Sequence, residues 1–365
     1  MTKPIAILRK LTLAAPLLFA APGLFAATAI SPADRNLQYT GRIDFADPAA
    51  PLLSWPGTSI AANFTGTTLA LTLDDQSGRN YFNVFIDDDY ARPFVIAAEQ
   101  GEKTYVVASK LSPGRHRFLL SKRTEGEEGA TVFKGAQLAD HASLLAPPPR
   151  LKRKIEFFGD SITSGMGDEA ADGAPDNLSK DKNNFMAYDA ITARNLQAEL
   201  HVTSQSGIGI LISWFPFTMP QFYGQLSAVG VNDSKWDFPT WTPDVVVINL
   251  FQNDAWLIDR EHRLTPVPTD EQRVQAYVDF VKTIRGKYPK AYIVCALGSM
   301  DAVRAGSKWP GYVTSAVARI RAENPQERID TLFFEFTGYT AHPRVKQHIA
   351  NAEKLTAFIK RKMGW

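Results

Sequence analysis

The stretch Ile155-Glu-Phe-Phe-Gly-Asp-Ser-Ile-Thr163 passes from a mainly apolar segment into a turn of small and polar residues. A short apolar run that ends at a glycine predicts a buried strand. In parallel sheets the ligand site lies beyond the carboxyl ends of the strands, so Ser161 is well presented there. Aspartate and serine are also ordinary turn and capping residues, so this stretch alone does not identify a nucleophile. It is not the lipase-type elbow either, because Thr163 stands where that turn has its second glycine.

Downstream of this strand, strand and helix patterns alternate as far as the C-terminus. Predicted strands lie near 201–204 and at 245–250, 292–297 and 331–336, and predicted helices near 187–200, 270–287, 312–322 and 344–361. Thr269 and Gln272 form a capping box at the start of the second of these helices. Such alternation predicts a parallel sheet covered by helices on both faces.

Upstream, from about residue 37 to residue 145, apolar and polar residues alternate with the period of a β-strand. Leu69, Leu71 and Leu73 fall on one face of such a strand, and a second set follows at Phe82, Val84 and Ile86. Turn residues separate the runs at spacings typical of an antiparallel β-sandwich or jelly roll. The acidic run at 87–89 fits a calcium site or a solvated hairpin turn, and the turn is the simpler interpretation.

A proline-rich segment, Ala146-Pro-Pro-Pro-Arg150, separates the two patterns. Segments of this composition are stiff and commonly lie between domains. We therefore predict a β-sandwich domain at 30–146 and an α/β domain at 147–365.

The first 29 residues have the layout of a cleavable signal peptide. Lys3, Arg9 and Lys10 precede an apolar stretch at 11–25, and Ala27-Thr-Ala29 follows it. Prolines and a glycine interrupt that stretch, which is shorter than the roughly 20 residues of a membrane span. We expect an exported bacterial protein, periplasmic or extracellular, with no membrane segment after cleavage.

The charge balance gives no reason to expect binding to nucleic acid or to an anionic membrane. The chain has 40 basic and 38 acidic residues, but three of the basic residues lie in 1–29, which leaves 37 against 38 and a net charge of −1. A chain this close to neutral, without a basic stripe, suits a neutral ligand such as a carbohydrate. The single cysteine, Cys295, lies in an apolar run and predicts a buried structural thiol.

Four residues suited to acyl transfer follow successive predicted strands in the order Ser161, Gly207, Asn253 and His342. Each is weak evidence alone, since the glycine has a place in any tight turn and the histidine in any helix cap. The intervals from Ser161 to Gly207 and from Gly207 to Asn253 are both 46 residues, about one βαβ unit. Together they predict one site at the carboxyl edge of the sheet.

This set resembles the SGNH (GDSL-like) hydrolase superfamily, whose four blocks correspond to Gly159-Asp-Ser161, Gly207, Asn253 and His342. The chain is also similar to carbohydrate esterase family 2. The features that carry this resemblance are the β domain in front, the stretches 54–60 and 122–126, and the stretch 155–163. The resemblance covers nearly the whole mature chain. It implies a jelly roll joined to a flavodoxin-like α/β/α domain.

The same resemblance implies an acetyl esterase acting on O-acetylated sugars or on polysaccharides such as xylan or glucomannan. Ser161 would be the nucleophile and His342 the general base, and the oxyanion would lie against Ser161 N–H, Gly207 N–H and the Asn253 amide. No cofactor or metal is required. The six histidines form no HExxH motif, and His342 and His348 are six apart, outside the spacing of common zinc pairs.

Two departures from the family pattern stand out. The superfamily usually has an aspartate three residues before the histidine, or two in many relatives of this family, and here Tyr339 and Thr340 fill those places. We therefore expect a Ser-His dyad with the imidazole held by a backbone carbonyl, Glu335 being a conceivable substitute. Phe251-Gln252 replaces the common Gly-Thr and predicts a narrower pocket near the oxyanion site.

Asp160 and Asp254 are each interpreted as a carboxylate that ties down its own turn, not as a catalyst. Trp214, Phe215 and Trp256 follow the glycine and asparagine loops, where they suit either stacking on a sugar ring or packing between the domains. Trp214 and Trp256 are the candidate substrate-binding residues. Two alternatives stay open: a carbohydrate-binding protein on this scaffold that has lost hydrolysis, and an esterase for a different acyl group or glycan.

Overall fold

A computed structural model of the chain describes residues 27–338 and 341–365. Most of the predicted signal peptide, and Tyr339 and Thr340, lie outside the described residues. The described part folds as an antiparallel β half followed by an α/β half.

The β half contains two antiparallel sheets. One has the strand order β3-β4-β11-β6-β9 with β1 beside β11, and the other has the order β2-β5-β10-β7-β8. Its strands are β1 (Thr28–Ile30), β2 (Gln38–Thr40), β3 (Ile43–Asp44), β4 (Leu52–Leu53), β5 (Ser59–Thr65), β6 (Leu69–Asp75), β7 (Tyr81–Ile86), β8 (Phe94–Ala97), β9 (Gly101–Ala108), β10 (Arg115–Lys122) and β11 (Thr131–Leu138).

The predicted alternation is confirmed in this half. Leu69, Leu71 and Leu73 of β6 are buried in one apolar core with Phe82 and Val84 of β7. These strands belong to different sheets, so the core lies between the sheets, as in a sandwich.

The acidic run at 87–89 forms a turn whose carboxylates pair with basic side chains of the protein. Asp87 pairs with His116 at 2.7 Å and Asp88 with Arg117 at 3.0 Å, and Asp89 accepts a hydrogen bond from Arg92. Positive φ angles of 53° and 59° at Asp87 and Asp88 are those of a tight turn. These contacts favour the hairpin interpretation.

The α/β half is a five-stranded parallel sheet with the order β13-β12-β14-β15-β16. Its elements are β12 (Arg153–Gly159), α1 (Ser161–Ser164), α2 (Tyr188–Asn195), β13 (Ala198–Ser204), α3 (Met219–Phe222), β14 (Val245–Asn249), α4 (Gln252–Ala255), α5 (Asp270–Lys287), β15 (Tyr292–Leu297), α6 (Trp309–Glu323), β16 (Ile329–Phe333) and α7 (Val345–Met363). Side chains of α2 and α7 pack on one face of the sheet, and those of α5 and α6 on the other. The order is that of flavodoxin-like folds, in which the strand order reverses beside the first strand, here β12.

Several predicted boundaries were wrong, among them the end of α2 and the end of the last strand. The helix predicted near 187–200 ends at Asn195, because Gln197 takes a left-handed φ of 50° and Ala198–Ser204 pairs with β12 along its whole length. The last strand ends at Phe333 instead of residue 336. The domain boundary at 146–147 stays a prediction.

The two halves share buried contacts. Trp55 of the β half is buried in the core of the α/β half, where its Nε1–H donates to Leu226 O at 2.7 Å. Arg42 of the β half pairs with Glu156 of β12 at 2.7 Å, and both side chains are fully buried. The β half is therefore packed against the sheet that carries the predicted site.

Cys295 of β15 is buried and free, as predicted. Within 27–338 and 341–365, no helix is long and apolar enough to cross a membrane, and no group of three acidic, histidine or cysteine side chains is arranged to hold a metal ion.

Candidate active site

Ser161 and His342 meet at the carboxyl edge of the parallel sheet. Ser161 is the first residue of α1, directly after β12, and His342 lies just before α7. His342 Nε2 is 2.9 Å from Ser161 Oγ, within hydrogen-bonding distance. This is the contact a histidine base needs to take the proton from a serine nucleophile.

A carboxylate, Asp176, holds the other side of the His342 ring. Its Oδ2 lies 2.9 Å from His342 Nδ1 and accepts the backbone N–H of His342 at 2.8 Å. The hydrogen bond from the His342 side chain is the main cause that keeps the pKa of Asp176 well below its usual value. The expectation of a dyad without a carboxylate was therefore wrong, because a distant loop fills the place the sequence motif leaves empty.

Glu335, the conceivable substitute, is not that partner. Its side chain is exposed and pairs with Lys354 of α7 at 2.7 Å. Asp176 instead belongs to the connection between α1 and α2, residues 165–187, far from the histidine in sequence. The one signal for it was the length of this acidic, glycine-containing connection next to the nucleophile, since long ordered loops at an active edge are commonly functional.

The three predicted oxyanion donors lie around the same pocket as Ser161 and His342. Gly207 has a φ of 85°, which favours glycine and turns the chain after β13 towards that pocket. Among the described residues, the backbone N–H groups of Ser161 and Gly207 have no backbone acceptor. Asn253 of α4 donates one amide hydrogen to Ile208 O at 3.0 Å, which orients the amide and leaves its second hydrogen for a ligand.

Asp160 ties down its own turn, as interpreted, whereas Asp254 holds a different loop. Asp160 accepts the N–H of Ile162 at 3.0 Å and caps α1, and burial raises its pKa to about 7. Asp254 accepts the N–H groups of Ile210 and Leu211 at 3.0 and 2.6 Å, so it holds the loop after β13 and not its own turn. Burial raises the pKa of Asp254 to about 6.

The predicted aromatic residues line the same pocket, which has a volume of about 480 Å³. Trp214 is 44% exposed at its rim, and Phe215 and Trp256 complete an aromatic wall. The guanidinium groups of Arg263 and Arg260 lie 4.4 and 4.3 Å from the ring centroids of Trp214 and Trp256. Both rings therefore line the pocket, and an arginine side chain lies close to each of them.

Of the two residues that depart from the family pattern at 251–252, only Gln252 lines the pocket. Phe251 is fully buried at a left-handed φ of 94° and packs against Tyr277 and Trp309, away from the pocket. Gln252 lines the pocket, and its amide nitrogen donates to Asp301 at 2.5 Å. Gln252 therefore lines the pocket together with Asn253.

Comparison with known proteins assigns both halves. Residues 39–148 match the family described as carbohydrate esterase 2 N-terminal, and residues 157–356 match the GDSL-like lipase/acylhydrolase family. The sequence is 36% identical to the cellulase/esterase CelE of Acetivibrio thermocellus over 90% of this chain, which spans 39% of that protein. It is 28% identical to an acetylxylan esterase/glucomannan deacetylase of Cellvibrio japonicus, over 92% of this chain and 89% of that protein.

A solved structure agrees. The chain superposes on a family two carbohydrate esterase from Clostridium thermocellum, in complex with cellohexaose, with a TM-score of 0.81 and 33% identity. The match covers 90% of this chain and 99% of the other.

Proposed function

Because the chain belongs to carbohydrate esterase family 2, we propose that it is a carboxylic ester hydrolase that removes O-acetyl groups from carbohydrate, through Ser161, His342 and Asp176. The observation that carries this proposal is the continuous line of hydrogen-bonding contacts from Asp176 through His342 to Ser161 at the mouth of a pocket. That arrangement supports a nucleophile, a base and a group that orients the base.

The reaction proceeds in two acyl-transfer steps. His342 Nε2 takes the proton of Ser161 as Oγ attacks the acetyl carbonyl, and the imidazolium then protonates the departing sugar oxygen. Water, deprotonated by the same nitrogen, attacks the acetyl-enzyme and releases acetate. Asp176 keeps Nδ1 protonated and stabilises the imidazolium, so that Nε2 faces the serine in both steps.

The negative charge of each tetrahedral intermediate lies on the former carbonyl oxygen. Ser161 N–H, Gly207 N–H and the second amide hydrogen of Asn253 are the proposed donors to it. Losing one such donor typically costs about 10²- to 10³-fold in rate, so the donors contribute as much as the base.

The proposed substrates are acetylated polysaccharides such as xylan or glucomannan. Relatives named as acetylxylan esterase/glucomannan deacetylase and a relative solved with cellohexaose support a glycan ligand. The open pocket bordered by Trp214 and Trp256 offers aromatic surface beside the nucleophile. An esterase for a different acyl group or glycan is one alternative. The preferred polymer tests the glycan, and esters of longer acyl chains test the acyl group.

A carbohydrate-binding protein without hydrolysis is the other alternative. Its ground in the sequence was the missing aspartate, and Asp176 removes that ground. We also propose export through a signal peptide at 1–29, which suits action on a polymer outside the cytoplasm.

The test is acetate release from acetylated xylan, acetylated glucomannan and 4-nitrophenyl acetate by the chain lacking residues 1–29. Ser161→Ala and His342→Ala are measured beside it, with Ser109→Ala, at an exposed serine of the β half, as the control. The esterase is supported if both site variants lose activity and Ser109→Ala keeps it. A wild-type chain no faster than Ser161→Ala on every ester overturns it, and retained binding to glucomannan would then favour the binding protein.

A further inference from the structure

Glu125 is a carboxylate of the β half buried beneath the proposed catalytic loops. It follows β10 in the stretch Lys122-Arg-Thr-Glu-Gly126, which none of the proposed chemistry uses. Its side chain is fully buried, so its oxygens need partners inside the protein.

Two of those partners belong to the loop that carries Gly207. Glu125 Oε2 accepts the backbone N–H of Ser206 at 2.6 Å, and Oε1 accepts the Ser206 hydroxyl at 2.5 Å. Ser206 immediately precedes Gly207, so this carboxylate fixes the peptide unit next to a proposed oxyanion donor.

A third partner belongs to the turn that carries the nucleophile. The Ser164 hydroxyl lies 2.7 Å from Glu125 Oε2 and 2.8 Å from the Ser204 hydroxyl. Ser164 is the last residue of α1, which begins at Ser161. The same carboxylate oxygen therefore binds the loops after β12 and β13.

The fourth partner closes the loop that carries Asp176. Lys182 donates to Glu125 at 2.8 Å and to Glu128 at 2.6 Å, and its side chain is almost fully buried. Arg123 of the same β-half stretch donates to Lys182 O at 3.0 Å and also pairs with Glu169. Both anchor points lie in the connection 165–187.

We propose that Glu125 is a positioning residue for the reaction: its buried carboxylate holds the three loops that carry Ser161, Gly207 and Asp176 in one arrangement. This inference rests on the proposed esterase function. If Glu125 has this role, the β half takes part in positioning the catalytic residues, because the carboxylate that holds the three loops belongs to the β half.

The charge of the group is consistent with that role. Burial opposes ionisation of Glu125, but the Lys182 ammonium and the hydrogen bonds from Ser206 and Ser164 outweigh it and lower its pKa. A glutamine side chain at position 125 could place its amide hydrogens opposite the Ser206 N–H, which now donates to the Glu125 carboxylate. The Ser206–Gly207 peptide would then shift, and oxyanion stabilisation is sensitive to small displacements of its donors.

The experiment compares Glu125→Gln with Glu156→Gln. Glu156 is a matched control, because it is also a fully buried carboxylate, paired with Arg42 of the β half, and it accepts the Thr203 hydroxyl at 3.1 Å. For Glu125→Gln we expect kcat on an acetyl ester to fall on the order of 10- to 100-fold while KM changes less than about threefold. Glu156→Gln should lose stability but keep kcat within about twofold, because it touches none of the three loops.

A double-mutant cycle separates positioning from a general loss of stability. Glu125→Gln combined with Ser206→Ala should be no slower than the worse single variant, whereas Glu156→Gln combined with Thr203→Ala should show no change in kcat at all. If Glu125→Gln does not fold, Ser206→Ala against Thr203→Ala still makes the comparison, with a several-fold loss of kcat expected only for Ser206→Ala.

Equal kcat for Glu125→Gln and Glu156→Gln, or for the two hydroxyl variants, overturns the positioning role while leaving the esterase intact. An inactive wild-type chain overturns the proposed function itself. The two failures are therefore distinguishable in one set of assays.

Discussion

The carboxylate of Asp176 holds His342 at two points, the ring nitrogen Nδ1 and the backbone N–H. We predict that Asp176→Asn lowers kcat on the order of 10²- to 10⁴-fold with little change in KM, because a carboxamide neither enforces the tautomer nor stabilises the imidazolium. Asp172→Asn, an exposed position in the same connection, is the control. If Asp176→Asn keeps more than half of the wild-type kcat, a backbone-oriented dyad is the better description.

The same carboxyl group predicts a dependence of stability on pH. The hydrogen bond from His342 holds the pKa of Asp176 below its usual value of 3.8, so the folded state has the lower pKa. The resulting stabilisation is present above the unfolded value and is lost as pH falls through the folded one. The free energy of unfolding of wild type should therefore exceed that of Asp176→Asn at pH 5, and the difference, measured by urea unfolding, should shrink as the pH falls below about 3.8. A gap that widens below pH 4 would contradict the assignment.

Trp214 and Trp256 give a prediction about the polymer. We expect Trp214→Ala and Trp256→Ala to raise KM for acetylated polysaccharide several-fold, and to change kcat/KM for 4-nitrophenyl acetate less, because a glycan covers more of the aromatic wall than a small ester does. Trp241→Ala is the matched control, since Trp241 stacks on His201 with a centroid distance of 3.6 Å, away from the pocket. Equal effects on both substrates would assign the rings to packing.

Among the residues of the site, sequence patterns predicted those that directly follow strands. They missed Asp176, which lies in a long connection. Ser161, Gly207 and Asn253 follow strands of one parallel sheet, so the strand order alone brings them to one edge. Asp176 is placed by contacts that its own connection makes with the β half, such as Arg123 with Glu169. No local pattern encodes such contacts.

Among the elements, α5 has the clearest local signal and gives a prediction of stability. Thr269 Oγ1 accepts the N–H of Gln272 at 3.2 Å, and Gln272 Oε1 accepts the N–H of Thr269 at 2.8 Å, the predicted capping box. Thr269→Ala should lower the free energy of unfolding by about 1 kcal/mol without changing kcat. Thr283→Ala, within the same helix, should be neutral or slightly stabilising because alanine has the higher helix propensity. Equal urea midpoints for the two variants would argue against the cap.

The elements also show where local pattern stops being sufficient. α5 begins and ends where predicted because caps are local, and β15 is a continuous buried run. The α2–β13 boundary was wrong because Ala198–Ser204 is a strand by virtue of pairing with β12, and pairing is a tertiary contact. Boundaries of this kind require the neighbouring strand to be known.

At the scale of the whole molecule, both halves contribute residues to the proposed site and its surroundings. The parallel sheet supplies Ser161, Gly207 and Asn253 from its strand ends, and the β half reaches beneath them with Glu125 and beside them with Arg123. We therefore expect the interface between the halves to contribute to the stability of the whole chain, so that the two halves unfold together.

Arg42 tests that interface directly. Its guanidinium pairs with Glu156 at 2.7 Å, donates to Tyr223 O and Gln225 O at 2.7 and 3.0 Å, and lies 5.7 Å from the centroid of Trp55. Arg42→Ala removes one member of a buried pair and leaves Glu156 with an uncompensated charge, so we predict a loss of about 3–5 kcal/mol in the free energy of unfolding. Arg319→Ala, which breaks a solvent-exposed pair with Glu271, should cost far less because water screens that pair.

Urea unfolding followed by tryptophan fluorescence and by circular dichroism measures both variants. If the halves unfold as one unit, the two signals coincide in wild type and both move to lower urea in Arg42→Ala. Activity of the folded Arg42→Ala protein should stay close to wild type, because Arg42 contacts none of the loops held by Glu125. A loss no larger than that of Arg319→Ala would mean that apolar contacts such as Trp55, and not the buried ion pair, hold the β half against the catalytic sheet.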